Sequence, residues 1–195
     1  MEILYTAIEE KQAELEESLI TVQHQQEHIK QSFERQGQNC HNITQSDQAC
    51  IRLEELSLQQ QGIQEELDIL SDISSANDAF EDVRLAARAA HTCILKSDSF
   101  GTYLSAEEGK LSRLADRSEM TYQDFIIEYK RIKKSPPEGI SQEELLQLYM
   151  GYERKIAAER VKRDLFTIMA ERLLYEYNIC KSEDILHPEV DGLSI

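Results

Sequence analysis

An apolar side chain returns every seven positions through the first third of this chain: Ile8, Leu15, Val22 and Ile29, in a row that continues through Gln36 to Ile43 and Cys50. A companion row holds Tyr5, Leu19, Phe33 and Cys40 and is interrupted by Gln12, Gln26 and Asp47. A strict seven-residue repeat is the seam of a coiled coil, because it keeps one apolar stripe facing a second helix. The helix that carries so narrow a stripe cannot bury it, so the pattern demands a helical neighbour. Proline, which would interrupt such helices, is absent before Pro136, and the 195 residues include only seven glycines and three prolines. No segment alternates β-branched and polar residues. The expected fold is all-α: an elongated coiled-coil helical hairpin followed by short helices and one long C-terminal helix.

From about Asp47 the beat shifts phase by one residue, with Leu53, Gln60 and Leu67 in one row and Leu56, Ile63 and Leu70 in the other. A glycine and a polar run coincide at Gln36-Gly37-Gln38-Asn39, between the two phases. Residues 1–75 are therefore expected to be two helices folded back as a hairpin, or a continuous rod with a skip. Residues 76–134 form a short-helix region. A helix over 78–96 carries Phe80, Val83, Ala87, Ala90 and Ile94; Ser105 with Glu108 starts a second, bearing Leu111 and Leu114; Thr121 with Asp124 starts a third, Tyr122 to Lys134. The proline-rich stretch 135–140 is a linker. Ser141 with Glu144 then caps a long helix within 141–181, with Ile140 placed to staple onto Leu145, and 182–195 is expected as a flexible acidic tail.

The net charge is −16, and it belongs to the N-terminal arm: residues 1–75 hold 15 acids and 4 bases, whereas 120–181 hold 10 acids and 11 bases. That field repels polyphosphate and anionic lipid, which argues against nucleic-acid and membrane partners and for basic protein surfaces. No apolar run approaches the roughly 20 residues that span a bilayer. Four cysteines without a CxxC pair, and an N-terminus without a leader pattern, indicate a cytoplasmic setting, with nuclear or cytoskeleton-associated placement as variants. The Asn42-Ile43-Thr44 sequon is then a coincidence.

Few residues carry chemistry. His24-Gln25-Gln26-Glu27-His28 has the H-x-x-E-H form in which two histidines one turn apart bind zinc and the glutamate works on a bound water. It lies on the polar face of a helix, which favours a solvated surface. Cys40, His41 and Cys50, and His91 with Cys93, lack paired-ligand spacing, and no cofactor is expected. Paired carboxylates such as Glu16-Glu17 and Glu65-Glu66 are expected on solvated helix faces. Lys130, Arg131, Lys133 and Lys134 suit a helix C-terminus, and Ser135-Pro136 beside them has the minimal form of a proline-directed phosphorylation site. In the last helix Leu145, Tyr149, Tyr152, Ile156, Phe166, Ala170, Leu173 and Tyr177 recur at three- and four-residue steps on more than one face, which calls for cover from several sides.

The segment Met120-Thr121-Tyr122-Gln123-Asp124-Phe125-Ile126-Ile127-Glu128-Tyr129-Lys130-Arg131, preceded by Leu111 to Arg117, resembles the "FI..Y...R" helix that follows the helical stalk in stalk subunits of the endosomal sorting complex ESCRT-I. The likeness spans about a tenth of the chain, and the Pro136-Pro137 linker and long final helix depart from that pattern. It implies a membrane-trafficking complex.

Together these features lead to the expectation of a non-enzymatic structural or scaffold subunit of a hetero-oligomer, with other helical proteins as partners. The coiled-coil interface would use Ile8, Leu15, Leu19, Val22, Ile29, Phe33, Leu53, Leu56, Ile63, Leu67 and Leu70, and Gln12, Gln26, Gln36 and Gln60 would select register and partner. Cytoskeletal or spindle assemblies are the leading setting and trafficking complexes the alternative. A homodimeric coiled-coil tether and a zinc-dependent hydrolase are the rivals.

Overall fold

The computed structural model describes residues 2–36, 43–75, 78–95 and 100–186, with side chains over 2–33, 47–75, 78–94 and 103–175. Five helices make up this part: α1 (Glu2–Gln36), α2 (Ile43–Ser74), α3 (Glu81–Leu95), α4 (Phe100–Lys134) and α5 (Gln142–Leu186), with a 3₁₀ turn at Asp78–Phe80 ahead of α3. The fold is all-α, and no strand occurs among the described residues. At 1.5 Å per residue α5 runs about 68 Å.

α1 packs on α2, and α4 on α5, each pair antiparallel. In the first pair Lys11 lies in the field of Glu66, while His24 and His28 share a groove with Arg52. In the second, Glu119 meets Arg163, Tyr122 meets Arg160 and Tyr129 meets Glu153. α3 touches α1, α4 and α5 and closes the bundle.

The heptad rows find their neighbour inside the chain. Ile8, Leu15 and Val22 of α1 and Leu56, Ile63 and Leu70 of α2 belong to one buried cluster, each no more than 8% exposed. Leu19, Ile29 and Leu67 pack at its edge, and Phe33 and Leu53 are half-buried. α2 also buries Ile69 and Ile73, outside its heptad rows. A third helix, α5, covers that part of α2, so the apolar stripe widens there.

The break between α4 and α5 is built as expected. The Ser141 backbone N–H donates to Glu144 Oε2 at 2.8 Å and the Glu144 N–H donates to Ser141 Oγ at 3.2 Å, a reciprocal capping box. Gly139 just before it has φ +81°, a left-handed conformation that side chains with a Cβ strain to adopt.

The short-helix region differs from expectation, because α4 is one unbroken helix of 35 residues. Neither Ser105 nor Thr121 caps anything. Thr121 Oγ1 donates to the carbonyl of Arg117 at 3.0 Å, and Glu108 accepts from Ser112 at 2.8 Å, so both groups serve bonds one turn apart within the helix. The capping pattern is also an ordinary helix-surface pattern, and nothing in 100–134 breaks the backbone. α5 continues through Leu186, so residues 182–186, expected in the tail, are helical. Gly37 to Asn42, Cys180 and residues 187–195 lie outside the described structure or its described side chains.

Candidate interaction surfaces and a buried charge layer

Where α1, α2, α4 and α5 converge, the bundle holds charge. Lys11 of α1 is 5% exposed, and its Nζ lies 2.7 Å from Asp164 Oδ2 and 3.0 Å from Glu14 Oε2. Glu66 of α2 is 3% exposed and accepts from Arg160 Nη1 at 2.7 Å; Arg160 Nη2 donates to the Tyr122 hydroxyl at 3.0 Å. Arg163 completes the layer, donating to Glu119 and Asp164, each at 2.7 Å. Glu65-Glu66 was expected on a solvated face. Instead Glu66 is buried and Glu65 is paired with Arg154, because α5 crosses α2 there and supplies the arginines.

The two buried ends of this layer titrate differently. Burial pushes Lys11 down, but the hydrogen bond and charge of Asp164, then those of Glu14, outweigh it and hold its pKa above the usual lysine value. For Glu66 burial dominates and raises the pKa, against the charge and hydrogen bond of Arg160 and the charge of Lys11. Breaking one member of such a set leaves a charge stranded at low dielectric, so the layer demands one relative placement of four helices.

Beyond this layer, α4 and α5 are joined by a ladder of rings. Phe125 meets Tyr152 edge-on at 6.4 Å between centroids, Tyr129 meets Tyr149 edge-on at 5.8 Å, and Tyr129 stacks on Tyr152 at 6.3 Å. Lys133 lies 4.5 Å over the Tyr129 ring and Lys155 5.3 Å over Tyr152. The Tyr129 hydroxyl donates to Glu153; burial first, then that acceptor, raises its pKa.

The residues expected on the last helix divide between these regions. Phe166, Ala170 and Leu173 are in the core, while Leu145, Tyr149, Tyr152 and Ile156 are half-buried along the ladder. The side chain of Tyr177 lies outside the described set. Lys130, Arg131, Lys133, Lys134 and Ser135 are all exposed at the end of α4, Arg131 paired with Glu128; the Ser135 N–H donates to the Arg131 carbonyl at 2.9 Å.

His24 and His28 are exposed and line an open groove of about 500 Å³. Arg52 lines it too, its guanidinium paired with Glu55 at 2.9 Å. Glu27 accepts from Gln31 at 3.1 Å. Among the described residues no three His, Cys, Asp or Glu side chains gather as a metal site. No described helix is long and apolar enough to cross a membrane.

Two pairs of exposed apolar side chains recur at helical spacing. Met120 and Ile127 sit one heptad apart on α4, 70% and 65% exposed, and Leu146 and Met150 sit one turn apart on α5, 56% and 51% exposed. Ile20, Ile51 and Leu58 are exposed on α1 and α2. Comparison with known proteins gives no matching family model, curated protein or solved structure.

Proposed function

We propose that this chain is a non-enzymatic structural subunit of a larger hetero-oligomer that assembles by helix–helix packing through the outer faces of α4 and α5. The observation that supports this reading is the second set of apolar side chains. The chain closes its heptad seam on itself and still presents Met120 with Ile127, and Leu146 with Met150, to solvent in pairs at helical spacing. Scattered exposed apolar residues are normal, but pairs of them at helical spacing suit a neighbour helix. Cytoskeletal or spindle assemblies and membrane-trafficking complexes, both built from long helices, are the settings proposed.

The test is purification of the tagged full chain from its native cells, with the stoichiometry of co-purifying proteins measured by mass spectrometry. The expected result is a fixed set of long-helix proteins in near-equal amounts, reduced by Met120→Glu with Ile127→Glu while the melting midpoint of the chain is kept. Leu56 would be a poor choice for this purpose, since at 0% exposure its substitution tests folding. Recovery of the chain alone, with a melting midpoint that rises with concentration, would replace this reading by a self-associating tether.

A further inference from the structure

Between α2 and α5 lies a groove of about 560 Å³ whose walls carry Leu58 and Gly62 of α2, Met150, Gly151 and Ala157 of α5, and Tyr129 of α4. Leu58 is 64% exposed and Met150 51%. Two glycines in the same groove, both in helix interiors, are unexpected on energetic grounds, because each costs roughly 1 kcal/mol relative to alanine. Neither is required by its own backbone, since neither has a positive φ, and a Cβ at either would meet nothing within 4 Å. Bare backbone facing open space on two walls lets another backbone approach closely.

The charged groups of the lining are already engaged within the chain. Arg154 bridges Glu65 at 2.7 Å and Asp72 at 2.6 Å, Glu153 accepts from Tyr129, and Lys133 lies over the Tyr129 ring. The lining is neutral, with Glu65 and Glu153 balancing Lys133 and Arg154. On its α2 side the groove is flanked by an acidic surface: beyond Glu65 of the lining and the buried Glu66, α2 carries five acids against Arg52 alone. A second copy would bring an equally acidic α2 to the groove and be repelled, whereas a helix with basic flanks would be attracted.

We infer that this groove seats one helix of a different protein, with an apolar row between Leu58 and Met150 and lysine or arginine on its flanks. The inference rests on the subunit reading above and names the surface and charge of one partner.

The probe is a synthetic amphipathic helix with leucines on one face and lysines on the other, titrated into the full chain by fluorescence anisotropy beside its glutamate counterpart. The lysine peptide is expected to bind and the glutamate peptide not. Gly151→Phe, which fills the groove, and Met150→Glu, at an exposed site, should each weaken binding about tenfold or more without lowering the melting midpoint, while Ile127→Glu, outside the groove, leaves binding unchanged. Equal affinity in wild type and both groove variants would reduce the binding to diffuse attraction by the acidic surface and overturn the inference. A dimer of the chain that Gly151→Phe dissolves in sedimentation would assign the groove to a second copy and overturn it as well. In the native-cell purification, stoichiometric partners retained by Gly151→Phe would sink the groove and leave the subunit reading standing; a wild-type chain recovered alone would remove that reading itself.

Discussion

From Ala157 to Leu173, α5 buries Ala157, Val161, Leu165, Phe166, Met169, Ala170 and Leu173; from Gln142 to Ile156 it buries no side chain fully. Both halves carry apolar residues on more than one face, so the difference lies in the neighbours. The second half meets α1 through Asp164 and Lys11, the 3₁₀ turn and α3 through Lys162 with Phe80 and Asp82, and α4 through Arg163 and Glu119. The first half has α4 along one side and reaches α2 through Arg154. Apolar pattern alone shows that a helix needs cover, and the number of helices that converge on it decides how much of that cover is supplied by its own chain.

Truncation should separate the two halves most strongly. Phe166→Ala removes a ring that is 1% exposed, and it should cost about 4 kcal/mol in urea unfolding, through lost transfer energy and the cavity left behind. Tyr152→Ala removes a half-covered ring and should cost about 1 to 2 kcal/mol. Equal losses would mean that the ring ladder is as integral to the fold as the core.

The charge layer lies within the second half, and Lys11→Met tests it. The substitution keeps the bulk of the side chain but strands Asp164, 17% exposed, with Arg163 as its remaining partner, for an expected loss of about 3 kcal/mol. Asp164→Asn in the same background should recover part of that loss, because the two changes act on one interaction. The Lys11 pKa is raised in the folded state, so its contribution is complete below the ordinary lysine value near 10.5 and disappears as pH rises through the folded value.

This layer was the part of the molecule least visible in the sequence. Heptad spacing identified Ile8, Leu15, Val22, Leu56, Ile63 and Leu70 as a row needing a helix, and the Ser141–Glu144 box located the start of α5, because both signals are local and periodic. Glu66 and Lys11 sit at positions that read as surface on their own helices. They are buried only because Arg160 and Asp164, about a hundred or more residues away in sequence, arrive beside them, and no local pattern encodes that arrival. The continuity of α4 was missed for the opposite reason: Ser105 and Thr121 carry a real local signal that the unbroken backbone does not use. The groove glycines offered only their spacing in sequence, and Gly62 and Gly151 become informative once α2 and α5 are side by side.

Glu66→Gln gives a smaller effect with a definite sign. The folded state raises the Glu66 pKa above its usual value near 4.5, so the fold favours the protonated carboxyl, and the wild-type chain loses stability as pH rises through the folded value. Glutamine mimics the protonated form at every pH. The melting midpoint of Glu66→Gln relative to wild type should therefore move upward between pH 4 and pH 7. A downward movement would mean that the Arg160 and Lys11 charges outweigh burial and that the layer holds Glu66 ionised.

The smallest effects distinguish a glycine the backbone requires from two that it does not. Gly139 has φ +81°, so alanine there should cost about 1 kcal/mol despite the open space around it. Gly62 and Gly151 lie in ordinary helix with equally open space, so alanine at either should raise stability by about 0.5 to 1 kcal/mol through helix propensity and a less flexible unfolded chain. The same substitution at three exposed glycines is thus expected to change sign with backbone conformation alone. Gains at 62 and 151 would show that the fold of this chain has no need of either glycine, which leaves the bare walls between α2 and α5 to be explained by something that comes from outside. A loss at either position would tie that glycine to intramolecular packing and remove one of the two observations on which close approach to the groove depends.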